Sequence, residues 1–129
     1  MFKISAIQDK TRQKGMCDLF DTTFIPDAFA YLMYDADTSA PMGMSQFEIG
    51  TSGYIYDIRE IDGRDDFEAM FILTRATMNF IDMCGAHICK AASNASAERL
   101  LISAGFKKDG EEYFCDMTGM FDGHCGGKK

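Results

Sequence analysis

The chain opens on a run that alternates apolar and polar residues, the pattern of a half-buried β-strand. Three further runs have strand character and are joined by short connections rich in Gly, Asp and Ser. The four predicted strands are Phe2–Ile7, Ala28–Tyr34, Met42–Ile49 and Tyr54–Ile61. Because the last three follow one another across short turns, we expect them to form an antiparallel meander.

Apolar residues recur at helical spacing in three other stretches. Asp9 can cap a helix that runs to about Phe20. A longer helix, Asp66–Met83, is apolar except for one narrow polar stripe, which indicates that it packs heavily against a sheet. The third helix lies within Ser93–Phe106, with Ser93 or Asn94 as its N-cap and a left-handed glycine after its last turn.

Three short strands complete the predicted pattern. Ala86–Ala92 follows the long helix, and Phe106–Lys108 and Tyr113–Phe121 flank a turn near the C-terminus. The order of strands and helices predicts an α/β domain with a mixed sheet flanked by helices.

Composition limits the classes of protein to which the chain can belong. Its 129 residues, 47% of them hydrophobic, predict one domain over 1–129, with 123–129 as a flexible tail. A net charge of −7 argues against a nucleic-acid surface. We also expect no membrane segment and, since no secretion signal is apparent, a cytoplasmic protein with reduced thiols.

The junction between the strand Tyr54–Ile61 and the long helix is the first candidate site. A strand, a tight Asp62-Gly63 turn and a helix N-terminus leave backbone N–H groups that can hold an anion. Here, however, Asp65 and Asp66 compete for the same helix dipole, and the bulky Phe67 stands where such loops usually place glycine.

Two stretches of the chain resemble the GNAT N-acetyltransferase superfamily. Arg64-x-x-Phe67-x-Ala69 is similar to that family's motif of Arg or Gln, two residues, Gly, one residue, then Gly or Ala, except at Phe67. Asn94, Ala97, Leu100, Gly105 and Phe106 match its Asn-x-x-Ala-x-x-Leu-Tyr-x-x-x-Gly-Phe pattern, with Leu101 at the Tyr position. The order of elements also matches, so the resemblance covers nearly the whole chain. It implies a GNAT-like mixed sheet of the acyl-CoA N-acyltransferase type.

The resemblance also implies a site for acetyl-CoA, between two splayed central strands. These would be Tyr54–Ile61 and Ala86–Ala92, running parallel. The pyrophosphate would lie on the loop from Arg64 to Ala69, the pantetheine would pair with the backbone of Ile58 to Ile61, and Asn94 would contact the cofactor's arm. The cofactor-binding residues implied are Ile58, Glu60, Ile61, Arg64, Asp66, Phe67, Ala69 and Asn94.

The side chain of Phe67 decides whether this loop is usable. We expect it to be core, beneath the long helix and in line with Phe71 and Thr74, which would leave the loop N–H groups free. Leu101 cannot give a proton to a departing thiolate. Asp57, Glu60 and Glu48 are candidate general bases, and the sequence assigns no catalytic residue among them.

Cysteine and histidine form two groups whose spacings match no standard zinc signature. They are Cys84-x-x-His87-x-Cys89 and Cys115 with His124-Cys125. We therefore expect no structural metal, and a small metal-binding module is the least favoured function.

The leading hypothesis is transfer of an acetyl group from acetyl-CoA to an unknown small-molecule or peptide amine, by a monomer or homodimer. The alternative is a non-catalytic binding or interaction domain of the same fold with a degenerate CoA loop.

Overall fold

Seven strands form one mixed sheet in the computed structural model, which describes residues 1–121. The strands are β1 (Phe2–Ala6), β2 (Phe29–Asp35), β3 (Pro41–Ile49), β4 (Gly53–Glu60), β5 (Ile88–Ala91), β6 (Lys107–Asp109) and β7 (Glu112–Asp116). The helices are α1 (Lys10–Leu19), α2 (Phe67–Met83) and α3 (Glu98–Ala104). Across the sheet the strands stand in the order β1-β2-β3-β4-β5-β7-β6.

Strands β1 to β4 pair antiparallel with their neighbours in sequence, which confirms the predicted meander. The connections between β2, β3 and β4 are too short for anything but hairpins. A β-bulge interrupts the last of these pairings: Gln46 lies opposite Asp57 and Phe47 opposite Ile55, so Tyr56 is the extra residue.

Strand β5 pairs parallel with β4, as the resemblance implied, because α2 carries the chain back across the sheet. Their paired residues run from Gly53 opposite Cys89 to Ile55 opposite Ala91 and then stop. The pairing ends at the bulge on β4, since Tyr56 is the next residue. Beyond that point the regular pairing ends, although the Ala92 N–H still donates to the Ile55 carbonyl at 3.0 Å and the Ile58 N–H to the Ala95 carbonyl at 2.8 Å. The parallel pairing is thus confirmed, and the splay stays a prediction.

Helices cover both faces of the sheet and create two separate cores. On one face, α1 contributes Cys17 to a small cluster with residues of β2 and β3 such as Leu32 and Met44. On the other face, α2 and α3 bury the larger core. Helix α2 begins at Phe67, one residue after the predicted start, because the Asp66 side chain caps it by accepting the Ala69 N–H.

Two predicted boundaries near the C-terminus were wrong. Helix α3 begins at Glu98, and its N-cap is Ala97 rather than Ser93 or Asn94, so the first turn has no side-chain cap. Residues 93–97 instead pass over the end of β5 and bury Ala95. Strand β7 ends at Asp116 and not at Phe121, because the Asp116 side chain accepts the Thr118 N–H and starts a turn.

The end of α3 follows the prediction. Gly105 has φ +121°, and the Phe106 N–H donates to the Leu101 carbonyl at 3.0 Å. That bond and the left-handed glycine are the marks of the expected Schellman ending.

The predicted flexible tail, 123–129, lies outside the described residues. Within residues 1–121, no helix is both long enough and apolar enough to cross a bilayer.

Replacing Gly53 with alanine should destabilise the protein by about 1–3 kcal/mol, because it overpacks the contact between β4 and α2. A Cβ at this position would lie 2.4 Å from Cγ2 of Ile81, a fully buried branched side chain. The control is Gly50→Ala, where the nearest atom lies 3.8 Å away. Urea unfolding should separate the two variants, and equal midpoints would contradict the close packing.

Candidate functional site

A pocket of about 210 Å³ lies beside the second half of β4, beyond the point where its pairing with β5 ends. It is bounded by the second half of β4, the start of α2 and the segment that leads into α3. Its lining residues are Ile58, Glu60, Asp65, Phe67, Met70, Ser96, Ala97, Arg99 and Leu100. The strand–turn–helix junction and the Asn94–Leu100 stretch, which are separated in sequence, therefore meet at one place.

The turn from β4 into α2 brings the helix N-terminus to the pocket. Gly63 has φ +93°, a conformation that side chains disfavour, and the Arg64 N–H closes the turn on the Ile61 carbonyl at 3.2 Å. Asp66 then caps the helix, with its Oδ1 3.0 Å from the Ala69 N–H. Among the described residues, no acceptor bonds the N–H groups of Phe67 and Glu68, so they are open to a ligand.

The protein's own Glu60 occupies part of this anion position. Its Oε2 accepts the Asp66 N–H at 2.7 Å. A carboxylate at the start of a helix is stabilised by the helix dipole, as a bound phosphate would be. Any anion that binds here must therefore displace the Glu60 side chain or bind beside its charge.

Phe67 is only half-buried, so the prediction that it belongs to the core was wrong. Its ring packs against the edge of the larger core but also lines the pocket. The physical reason is that Phe67 stands at the first position of α2, beside the pocket that lies beyond the β4–β5 pairing. The exposed ring face is covered by Arg99, whose Cζ lies 3.9 Å from the ring centroid.

Beyond its pairing with β5, part of the edge of β4 is hydrogen-bonded to another segment of the chain. The Ile58 N–H donates to the Ala95 carbonyl at 2.8 Å, and the Arg59 guanidinium donates to the same carbonyl at 2.9 Å. The Ile61 N–H points the opposite way, to the Met42 carbonyl of β3. Since backbone groups alternate along a strand, the Glu60 main chain faces the open edge.

The implied cofactor-binding residues are thus only partly brought together. Ile58, Glu60 and Phe67 line the pocket, and Asp66 caps the helix beside it. The other four lie around it: Ile61 is tied to β3, Arg64 lies 3.8 Å from Asp66 at the surface, Ala69 is buried in the core, and Asn94 is exposed, with its carbonyl bonded to Arg59.

Arg99 was missed by sequence reasoning and is not among the cofactor-binding residues that the resemblance implied. The two halves of its contact lie 32 positions apart on different helices, and no local pattern connects them. The only signal in the sequence was that a bulky ring stands at the glycine position of one motif and that a cation lies inside the other motif.

A buried polar network lies on the other face of the sheet, beneath the segment that follows α1. Asp57 Oδ2 accepts the Thr22 hydroxyl at 2.5 Å and the Gln46 amide at 3.0 Å, and its Oδ1 has no partner among the described residues. Burial raises the pKa of Asp57, and these two hydrogen bonds oppose the shift only in part. Asp57 is therefore sealed away from the pocket.

The other two candidate bases are also engaged elsewhere. Glu48 accepts the hydroxyl of Tyr56, and that hydrogen bond raises the pKa of Tyr56 to about 12. Glu60 lies at the helix start, the end of the pocket where a phosphate would bind. Leu101 is fully buried in the core, so it offers no proton at this site.

The described cysteines do not all lie at one place in the structure. Cys89 and Cys115 are buried opposite each other on β5 and β7, and Cys84 is exposed at the end of α2. His124 and Cys125 lie outside the described part. Within residues 1–121, no three potential ligands cluster well enough to hold a metal ion.

Replacing Asp57 with asparagine should reveal the raised pKa as a pH-dependent change in stability. Because the folded state holds the Asp57 proton more tightly than the unfolded state, this group stabilises the wild type most below its ordinary pKa of 3.8. That contribution is lost as the pH rises from 3.8 through the raised pKa. The variant lacks this loss, so its free energy of unfolding relative to wild type should increase with pH.

Urea unfolding between about pH 2 and 7, a range that extends below 3.8 for the control, measures this difference. The control is Asp116→Asn, because hydrogen bonds from Thr118 lower the pKa of Asp116. Its contribution is instead present above 3.8 and lost as the pH falls, so the relative stability of D116N should change with pH in the opposite sense. A D57N difference that is flat with pH, or follows D116N, would contradict the raised pKa.

The fold of this chain is similar to that of proteins of known structure. No family model matches the sequence, and no curated protein matches it significantly. Solved structures do match. An IAA acetyltransferase from Bacillus cereus ATCC 14579 superposes with a TM-score of 0.67 at 16% identity, over 83% of this chain and 77% of that one.

Two further structures match over more of the chain. A Desulfovibrio desulfuricans protein assigned to the GNAT acetyltransferase family has a TM-score of 0.65 at 11% identity, covering 91% of this chain and 99% of that one. The AtaTR complex bound with acetyl-CoA gives 0.65 at 14%, covering 92% and 95%. At such identities the likeness concerns the fold, and the chain has the fold of the GNAT N-acetyltransferase superfamily.

Proposed function

We propose that this protein is an N-acetyltransferase that moves an acetyl group from acetyl-CoA to an amine. The observation that carries the proposal is the end of the β4–β5 pairing at the bulge, with the starts of α2 and α3 meeting at the pocket beside it. Structural relatives bound to acetyl-CoA, such as the AtaTR complex, support the choice of cosubstrate.

In this proposal the cofactor's pyrophosphate binds the open N–H groups of Phe67 and Glu68 at the start of α2. The pantetheine follows the open edge of β4 at the Glu60 main chain. Pairing at Ile58 requires the Ala95 carbonyl to give up its hydrogen bond. The site as it stands is therefore narrow, and we expect acetyl-CoA to bind more weakly than a glycine-rich loop would allow.

The chemistry is a direct transfer. The neutral amine nitrogen attacks the thioester carbonyl, and the C–S bond of the resulting tetrahedral intermediate breaks. The nitrogen gives its surplus proton to water, and the CoA thiolate takes a proton from water, so that an amide and free CoA thiol are formed. The chain contributes by holding the thioester in place, since Leu101 cannot act as an acid and Asp57 is sealed behind Thr22 and Gln46. Without a positioned base, the rate should rise with pH as more of the amine becomes neutral.

A thermal-shift titration with acetyl-CoA and CoA tests binding. A ligand that binds only the folded state at a hundredfold excess over its Kd adds about 2.7 kcal/mol of stability, or several degrees in Tm. Release of free thiol in the presence of a panel of amines, including a polyamine, amino acids and a short peptide, tests transfer.

We expect both a rise in Tm and amine-dependent thiol release. A shift without release from any amine would favour the non-catalytic binding domain, and absence of both would overturn the proposal. Pantetheine, which is the thiol-bearing arm of CoA without any phosphate, is the control for the pyrophosphate contact.

A further inference from the structure

Arg99 is the one cationic side chain among the residues that line the pocket. Its Cζ lies 3.9 Å from the centroid of the Phe67 ring, a close stack of guanidinium on aromatic face. Glu60 and Asp65 line the same pocket, yet within the described residues Arg99 forms no hydrogen bond or ion pair with either. Its donors are therefore uncommitted.

The stacked geometry leaves Arg99 ready to bind an anion. A guanidinium stacks through its flat face, whereas its N–H groups lie in its plane and point outward from the edge. It can therefore remain on the Phe67 ring while it donates two parallel hydrogen bonds to a phosphate. Phe67 begins α2, so this cation lies beside the open N–H groups of the same helix end.

The charges of the pocket create a need for such a cation. Glu60 and Asp65 are acidic, and each repels a pyrophosphate. Arg64, the cation of the loop motif, lies 3.8 Å from Asp66 at the surface and is partly neutralised by it. Lining the pocket, Arg99 alone can offset these carboxylates.

We propose that Arg99 is a phosphate-binding residue of this pocket, that Phe67 positions it, and that the ring at the usual glycine position serves to hold that cation. This inference rests on the proposed function, because it assigns the phosphate contact of the same site. With Phe67 in place of glycine, a phosphate cannot come as close to the backbone, but the ring holds the Arg99 cation beside it. The ligand class is the pyrophosphate of a CoA ester.

The test is a double-mutant cycle of Arg99→Ala and Phe67→Leu in the full chain, with binding measured by calorimetry. Loss of a charge-assisted phosphate contact should weaken CoA and dephospho-CoA binding by about tenfold or more in R99A. Pantetheine binding should not change. F67L should weaken CoA binding by a smaller factor, and the double variant should be no weaker than R99A alone, because Phe67 acts through Arg99.

Two controls complete the cycle. Arg12→Ala removes the same charge from the exposed face of α1 and should leave CoA binding unchanged. Arg99→Lys keeps the charge but loses the flat stack and the fork, so it should restore only part of the affinity. All effects should shrink as salt concentration rises.

The outcomes separate this inference from the proposed function. If wild type binds neither CoA nor acetyl-CoA, the proposed function fails and this inference with it. If wild type binds CoA and R99A binds it equally well, only this inference is overturned. Additive losses in the double variant, or tighter binding by F67L, would overturn the positioning role of Phe67 and identify the ring as a plug.

Discussion

Replacing Gln46 with leucine should lower the free energy of unfolding by more than about 3 kcal/mol, because several buried polar groups would lose their partner. Gln46 is fully buried in the middle of β3 and uses all of its hydrogen-bonding capacity. Its Oε1 accepts from Gln13 at 3.0 Å and from the Ile25 N–H at 3.1 Å. Its amide donates to the Thr23 carbonyl at 2.8 Å and to Asp57 at 3.0 Å.

The size of the effect follows from the number of polar groups that lose a hydrogen-bond partner. Leucine fills a similar volume, so the loss is not one of packing. The buried side chains of Gln13 and Asp57 would each lose a hydrogen-bond partner, and each buried unpaired group costs about 1–3 kcal/mol. The part-buried Ile25 N–H and Thr23 carbonyl would also lose Gln46. Domains of this size are stable by only about 5–15 kcal/mol in total, so the variant should unfold at markedly lower urea concentration.

The control is Gln8→Leu, the same substitution at an exposed position before α1. It should change the free energy of unfolding by no more than about 0.5 kcal/mol, as for other surface sites. Equal stability of Q46L and wild type would show that the segment from Thr22 to Ile25 is not anchored through this side chain.

The sequence predicted the elements well because their causes are local. Alternation and short polar turns specify the meander, and the narrow polar stripe of α2 requires a sheet beneath it. The parallel pairing of β4 with β5 came from the resemblance, and the structure confirms it. The meander and the stripe of α2 depend on residues within one element or its immediate flanks, whereas the pairing of β4 with β5 does not.

The features that the sequence did not predict depend on side chains that are distant along the chain. Gln46 and Gln13 are 33 positions apart, and a lone glutamine in a strand gives no sign of such a partner. Phe67 satisfied the helical spacing of a core residue, but spacing cannot show that a pocket lies beside it. The start of α3 failed for a related reason, since residues 93–97 are held by tertiary contacts and not by a cap.

Glu60, like Phe67, has contacts that the sequence alone did not predict. Its backbone was the predicted contact for pantetheine, and its side chain was a candidate base. The structure instead bonds that side chain to the Asp66 N–H at 2.7 Å, at the end of the pocket where we propose that pyrophosphate binds. The carboxylate therefore competes with the phosphate for both the N–H group and the dipole of α2.

Replacing Glu60 with glutamine should tighten CoA binding by about tenfold or more at low salt. Two unit charges 4–6 Å apart repel by about 3–4 kcal/mol at an effective dielectric of 20, and salt and solvent reduce this to a part of that value. Glutamine keeps the shape and can still accept the Asp66 N–H, but as a neutral group that a phosphate displaces more easily. The same substitution should lower the stability of the ligand-free protein, because a neutral acceptor at the helix start interacts less favourably with its dipole.

The opposite signs of these two effects distinguish competition from a general change in charge. Calorimetry with CoA measures the affinity, and urea unfolding measures the stability of the free protein. Glu111→Gln makes the same change in net charge on the exposed turn between β6 and β7 and should alter neither quantity much. Asp65→Asn removes a pocket charge that caps nothing in the described structure, so it should tighten binding without the loss of stability. Weaker CoA binding by E60Q would mean that Glu60 supports the cofactor instead of opposing it.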